Sequence, residues 1–95
     1  MIGRKVIVRA SRAGVFFGTL VKFDGENATL KNVRKLWYWD GAGAVEGIAQ
    51  NGVSKPDECK FTVWVGEIGL TGVSQIIPAT EKSINIIEGI EEWLA

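Results

Sequence analysis

Histidine is absent from these 95 residues, and cysteine, methionine and tyrosine occur once each. Without histidine, Ser-His-Asp and Cys-His nucleophilic sites are excluded. With a single cysteine besides, the usual zinc ligand sets are missing, and no metal site is expected. Cys59 alone cannot close an internal disulfide and fits a reducing compartment, so a cytoplasmic protein is expected. No run of eighteen apolar residues is present, which argues against a membrane span. Met1-Ile2-Gly3-Arg4-Lys5 is charged too early, and followed by too short an apolar stretch, to read as a signal peptide. Asp40-Gly41-Ala42-Gly43-Ala44 lacks the Gly-Lys-Ser/Thr ending of a phosphate loop. No acidic pair sits in a context suited to paired-carboxylate catalysis. The absences point to binding without a cofactor, not to turnover.

What is present describes one folded domain. Hydrophobic residues make up 46% and charged residues 23%, the balance of a globular chain long enough for a single core. Net charge is zero, yet the charges are segregated. Residues 1–35 hold eight cations against two anions, and residues 36–95 hold three cations against nine anions. One surface can therefore attract phosphate while the molecule stays neutral.

Arg34-Lys35-Leu36-Trp37-Tyr38-Trp39-Asp40 is the most chemically loaded stretch. In an extended strand Trp37 and Trp39 share one face, with Leu36, Tyr38 and Asp40 on the other. Aromatic rings beside cations can hold a nucleobase and its phosphate, with stacking worth roughly 1–3 kcal/mol per base. A buried aromatic cluster or a subunit contact is the competing reading.

Lys5 to Ala10 reads as a strand, with Val6 and Val8 alternating against Lys5, Ile7 and Arg9. A turn at Ser11–Gly14 leads into a second run over Val15 to Phe23, where Gly18 predicts a bend or a close backbone approach. Phe23–Asn27 is a turn, and Ala28 to Val33 is a third strand continuing into the aromatic segment. Helical spacing predicts a short helix from about Ala42 to Gln50, stopped by Gly52. Pro56 fixes a loop over Asn51 to Glu58. Cys59 to Val65 alternates strictly, and Glu67 to Ile77 is extended, with Gly66, Gly69 and Gly72 permitting bends and Pro78 ending it. Thr80 caps a terminal helix whose apolar stripe is Ile84, Ile87, Ile90 and Leu94, and whose final turns are crowded by Glu88, Glu91 and Glu92. The expected architecture is mainly β with helices. Residues 1–39 and 59–78 form a small bent five-stranded barrel, closed or half-open; residues 40–58 are a helical insert, and residues 79–95 a C-terminal helix.

Gly18, Leu20, Phe23, Asp24, Asn27 and Leu30 resemble the first motif of Sm-like proteins, and Gly72–Pro78 resembles the second. The turn from Asp24 to Asn27 is one residue shorter than in that family, and residues 34–58 are an insertion its typical members lack. The resemblance implies an Sm-like or SH3-like small β-barrel, often assembled into a ring, with Asp24 and Asn27 as candidates for holding a base. Gly14–Leu20, the block from Arg34 to Gly41, Lys55-Pro56 and Cys59–Val63 resemble a family of small, largely uncharacterised bacteriophage proteins. A phage origin implies an anti-defence role in the host cytoplasm, because phages use small oligomeric proteins without catalytic groups to sequester the nucleotide signals of bacterial immunity. Other phage proteins block CRISPR complexes directly.

Three functions follow. The first expectation is a homo-oligomeric, non-enzymatic sponge for a cyclic or ADP-ribose-type nucleotide. Trp37, Tyr38 or Trp39 would stack on the base, and Arg9, Arg12, Arg34 or Lys35 would meet phosphate. The second is a protein-blocking inhibitor, of anti-CRISPR or related type, that presents its acidic terminal helix to a basic partner. The third is an Sm-like RNA binder using Asp24 and Asn27, with strongly salt-dependent affinity.

Overall fold

A computed structural model describes residues 1–41 and 44–94. Strands β1 (Lys5–Ala10), β2 (Gly14–Asp24) and β3 (Asn27–Tyr38) form an antiparallel meander. Helix α1 (Val45–Asn51) and a 3-10 turn (Pro56–Glu58) follow. Then come the two-residue β4 (Lys60–Phe61), β5 (Val65–Leu70), β6 (Val73–Pro78) and helix α2 (Glu81–Glu88). Strand β6 pairs with the free edge of β1. The long β3 is shared: its first half pairs β5 and its last residues pair β4. The mainly β architecture with two helices is as expected, but it holds six antiparallel strands where five were expected. Among the described residues β5 and β6 do not pair with each other, so the sheet is not closed.

Both faces of the sheet are buried. On one, Ile7, Val15, Phe17, Leu36 and Phe61 pack against Val45, Ile48 and Ala49 of α1 and Ile87 of α2. On the other, Val6, Val8, Phe16, Leu20, Leu30, Val33, Leu70 and Val73 form a second core built from strands alone. That second core exists because the sheet curls over it. Two devices produce the bend. Between Phe17 and Thr19 the pairing spans two positions on β2 but three on β3, a bulge opposite Gly18. A Cβ on Gly18 would lie 3.1 Å from Val33 Cγ2 and 3.2 Å from the Lys31 carbonyl, so only glycine lets the strands approach this closely. With two cores, Ile7 is fully buried between Val6 and Val8 and does not share an exposed face with Lys5 and Arg9.

The insert follows the predicted pattern from Val45 onward; Ala42 and Gly43, where its helix was expected to begin, lie outside the described residues. Gly52 ends α1 at φ 73°, with its N–H donating to the Ile48 carbonyl. The run expected over Cys59 to Val65 breaks after Phe61: Cys59 and Phe61 face the core, but Val63, Trp64 and Val65 are exposed.

Helix α2 begins as predicted: the Thr80 hydroxyl accepts from the Ser83 N–H at 3.2 Å. It stops at Glu88, well short of the C-terminus. Beyond Gly89 the chain turns back to the sheet. The Trp93 N–H donates to the Phe61 carbonyl at 2.8 Å, and Leu94, expected on the apolar stripe, is 73% exposed. The carbonyls of Ile87 and Ile90 both accept from Arg34, and the Ile90 N–H closes one last tight turn on the Ile87 carbonyl at 3.3 Å.

Candidate functional site

Arg34 is fully buried. Its Nη1 donates to the carbonyls of Ile87 at 2.9 Å and Ile90 at 2.7 Å, while Nε and Nη2 both reach the Thr62 carbonyl at 3.3 Å. The cation also sits 4.8 Å from the Trp64 ring centre and 5.4 Å from that of Phe61. Burial lowers its pKa, an effect opposed by the Glu92 carboxylate. The phosphate contact expected of Arg34 is therefore corrected. This side chain is a tie between sheet and helix, and no ligand reaches it.

The neighbouring expectations separate in space. Lys35 lies opposite Phe16 on the strand-only core side, with Nζ 5.9 Å from that ring. Trp37 and Tyr38 are both about half exposed. Trp37 stacks on Trp93 with ring centres 4.8 Å apart and planes 14° from parallel. Lys60 Nζ stands 5.4 Å and 5.1 Å from the two indoles. The shared face expected for Trp37 and Trp39 does not form. The pairing of β3 with β4 shifts between Leu36 and Tyr38, and Trp39 lies past the end of β3, packed against the helix-side core. Asp24 and Asn27 pair across the β2–β3 turn at the far end of β2, beside a recess of about 160 Å³ shared with Lys22 and Thr29.

One recess does unite a predicted cation with a predicted ring. A groove of about 390 Å³ runs between the β1–β2 turn and the start of α1, lined by Arg9, Ser11, Val15, Trp39 and Val45 among others. Its geometry is set locally. Arg9 pairs with Val15 on one side and Gln75 on the other. A bulge at Ser74 follows, and the Ser74 hydroxyl donates to the Arg9 carbonyl at 3.1 Å. Bulges re-aim neighbouring side chains, and Arg9 is left exposed at the groove's wall. On the other wall the chain after Trp39 is anchored to the 54–59 segment. The Asp40 N–H donates to Cys59 Sγ at 3.4 Å, and the Ser54 N–H donates to the Gly41 carbonyl at 3.1 Å. Arg12 is exposed in the β1–β2 turn, between Ser11 and Gly14, which both line the groove. A flat apolar ring, a guanidinium and a hydroxyl suit a planar ligand carrying negative charge.

Sequence reasoning missed two features: Arg34 as a buried tie, and a recess beside Trp64. Arg34 follows Val33 and stands two positions before Leu36 in β3, and the apolar character of those two residues is its local signal in the sequence.

Fold and groove together define a small mainly β domain with an open, curled six-stranded sheet and a two-helix layer on one face. A family model described as a domain of unknown function (DUF6948) matches residues 3–87, and the chain belongs to that family. It matches no curated protein and no solved structure. No helix among the described residues is long and apolar enough to cross a membrane.

Proposed function

We propose that this domain is a non-enzymatic nucleotide-binding protein that sequesters a cyclic or ADP-ribose-type nucleotide signal of bacterial antiviral defence. The observation that carries the ligand class is the meeting of Arg9 and Trp39 in one open groove. Trp39 stacks on the base, Arg9 meets phosphate, and Ser11 adds a hydroxyl. At about 390 Å³ the groove is near the lower end of the roughly 300–1,000 Å³ range of small-molecule pockets. One nucleotide unit fits that scale, so a cyclic dinucleotide would be shared between the grooves of two subunits in a homo-oligomer. Zero net charge favours a small ligand over a nucleic-acid polymer, which needs many phosphate contacts. The sequestering role and the phage setting rest on the resemblance to phage proteins and on the absence of histidine.

Calorimetry against AMP, cyclic dinucleotides and cyclic ADP-ribose isomers tests this reading. Heat that is lost in Arg9→Ala and in Trp39→Ala, with the fold intact, supports it. Absence of heat from every nucleotide, or binding that neither change weakens, overturns it.

A second reading is a protein-blocking inhibitor, favoured by one observation. Trp37, 53% exposed, stacks on Trp93, which lies in the chain between the exposed Glu91 and Glu92 and Leu94, itself 73% exposed. Exposed apolar surface rimmed by charge is typical of protein contacts.

A further inference from the structure

A second recess, of about 360 Å³, opens at the other end of the helix layer, where Lys5, Thr19, Asn32, Trp64 and Glu88 meet. Lys5 is four positions from Arg9 along β1, about 13 Å at roughly 3.3 Å per residue, so the two recesses are distinct. We propose that this recess binds an uncharged planar heteroaromatic ring of the nucleobase or nucleoside class. The proposal does not rest on the Arg9–Trp39 reading.

Three observations carry it. The first is a ring fixed before any ligand arrives. The buried Arg34 cation lies over the Trp64 indole at 4.8 Å and Phe17 meets it edge-on with centres 6.1 Å apart, while the backbone N–H of Trp64 donates to Glu92 Oε2 at 2.7 Å and anchors the chain beneath the ring. Trp64 nevertheless keeps 38% of its surface open. A preordered aromatic wall lowers the entropy lost when a flat ligand stacks on it.

The second is Asn32, the non-glycine residue with positive φ among those described, at 50°. It stands in the β3 bulge opposite Gly18. Asparagine is among the residues with a Cβ that take left-handed backbone readily, and in this bulge it lines the recess. The asparagine amide offers a carbonyl acceptor and an NH₂ donor on one plane, the pattern that matches the edge of a base. The third is charge. Lys5 and Glu88 form an ion pair across the rim, linking β1 to α2. The rim thus carries no net charge, which suits a neutral ring and gives a phosphate no unpaired cation.

The test titrates adenosine, guanosine, cytidine and uridine into the intact protein by calorimetry and tryptophan fluorescence, with tryptophan amide as an aromatic lacking a base edge. At least one nucleoside should bind in the submillimolar range and better than tryptophan amide. Trp64→Ala should weaken that binding about tenfold or more, and Trp64→Phe should retain most of it. Asn32→Gly, which suits the backbone angle, should weaken it about threefold or more without lowering the melting temperature. If Trp64→Ala does not fold, Trp64→Phe and Asn32→Gly carry the test. The proposal fails if no nucleoside binds at millimolar concentration, or if tryptophan amide binds equally and Asn32→Gly has no effect. It fails equally if Trp39→Ala, and not the Trp64 and Asn32 changes, removes the binding.

Discussion

Arg34, in the middle portion of β3, donates a hydrogen bond to the carbonyl of Ile87, one residue from the end of α2, at 2.9 Å. The cation therefore sits where the helix dipole is negative and where unpaired carbonyls accumulate. It also faces the Glu92 carboxylate, whose charge opposes the lowering of its pKa by burial. Removing it leaves the carbonyls of Thr62, Ile87 and Ile90 buried or half-buried without this donor. Arg34→Ala should cost about 3 kcal/mol or more in urea unfolding, and Arg34→Lys should recover only part of that, because an ammonium lacks the planar fork. A loss below about 1 kcal/mol would mean that water replaces the guanidinium freely.

How much of this could be read from sequence depends on how local each signal is. The Thr80 cap, the Gly52 stop and the bend at Gly18 were legible because each depends on a few adjacent residues. Ile7 was misplaced because alternation assumes one wet face, and here both faces of β1 are covered. The length of α2 was overestimated for a related reason: the stripe of Ile84, Ile87 and Ile90 continues past Gly89, but the tertiary bonds of Arg34 and Trp93 capture the backbone first. Of the predicted site residues, Arg9 and Trp39 meet in one groove, while Arg34 is sealed inside. Charge and aromatic content in a sequence do not reveal which side of a bulge each residue will occupy. Trp37 gave no hint of Trp93, 56 positions away, since stacking across that separation leaves no periodicity.

The Trp37–Trp93 stack should behave as a coupled pair. Both rings lie near Lys60, and the contact holds residues 89–94 to the end of β3. A double-mutant cycle of Trp37→Ala and Trp93→Ala should show a coupling of about 0.5–1.5 kcal/mol. The near-ultraviolet circular dichroism should lose the same signal in either single variant. Additive effects would show that the indoles are neighbours without interacting.

Gly52, at the end of α1, packs against Ile86 of α2. Its φ of 73° is unfavourable for any residue with a Cβ, and a Cβ there would lie 2.9 Å from Ile86 Cδ1 and 3.1 Å from Ile86 Cβ. Gly52→Ala should destabilise by about 2–4 kcal/mol, combining backbone strain with overpacking. In an Ile86→Ala background, which removes Cδ1 and Cγ2 but keeps the Cβ, the penalty of Gly52→Ala should shrink towards the backbone cost of about 1 kcal/mol. Thermal melts of the two single variants and the double variant separate the contributions. A double variant as stable as Ile86→Ala alone would show that the positive φ itself carries no penalty.

Cys59 offers a readout of the insert's anchoring. Burial raises its thiol pKa above the ordinary value, with Asp40 and Glu58 adding to the shift, although the Asp40 backbone hydrogen bond opposes it. The thiol donates to the Lys55 carbonyl at 3.4 Å, a bond only the protonated form can make. Because the native state holds this proton more tightly than the unfolded chain, the associated stability is fully present below the unfolded pKa. It is lost as pH rises through the higher native one, so the effect is confined to alkaline conditions. Iodoacetamide should therefore modify the native protein more slowly at pH 8 than it modifies the same chain in urea, since less thiolate is present. The native rate should keep climbing with pH after the denatured rate has levelled. Cys59→Ser should leave stability at neutral pH nearly unchanged and abolish the alkaline difference. Equal rates in the native and denatured chains would show that the Asp40–Cys59 contact opens freely, and with it the anchor that holds the Trp39 wall of the groove.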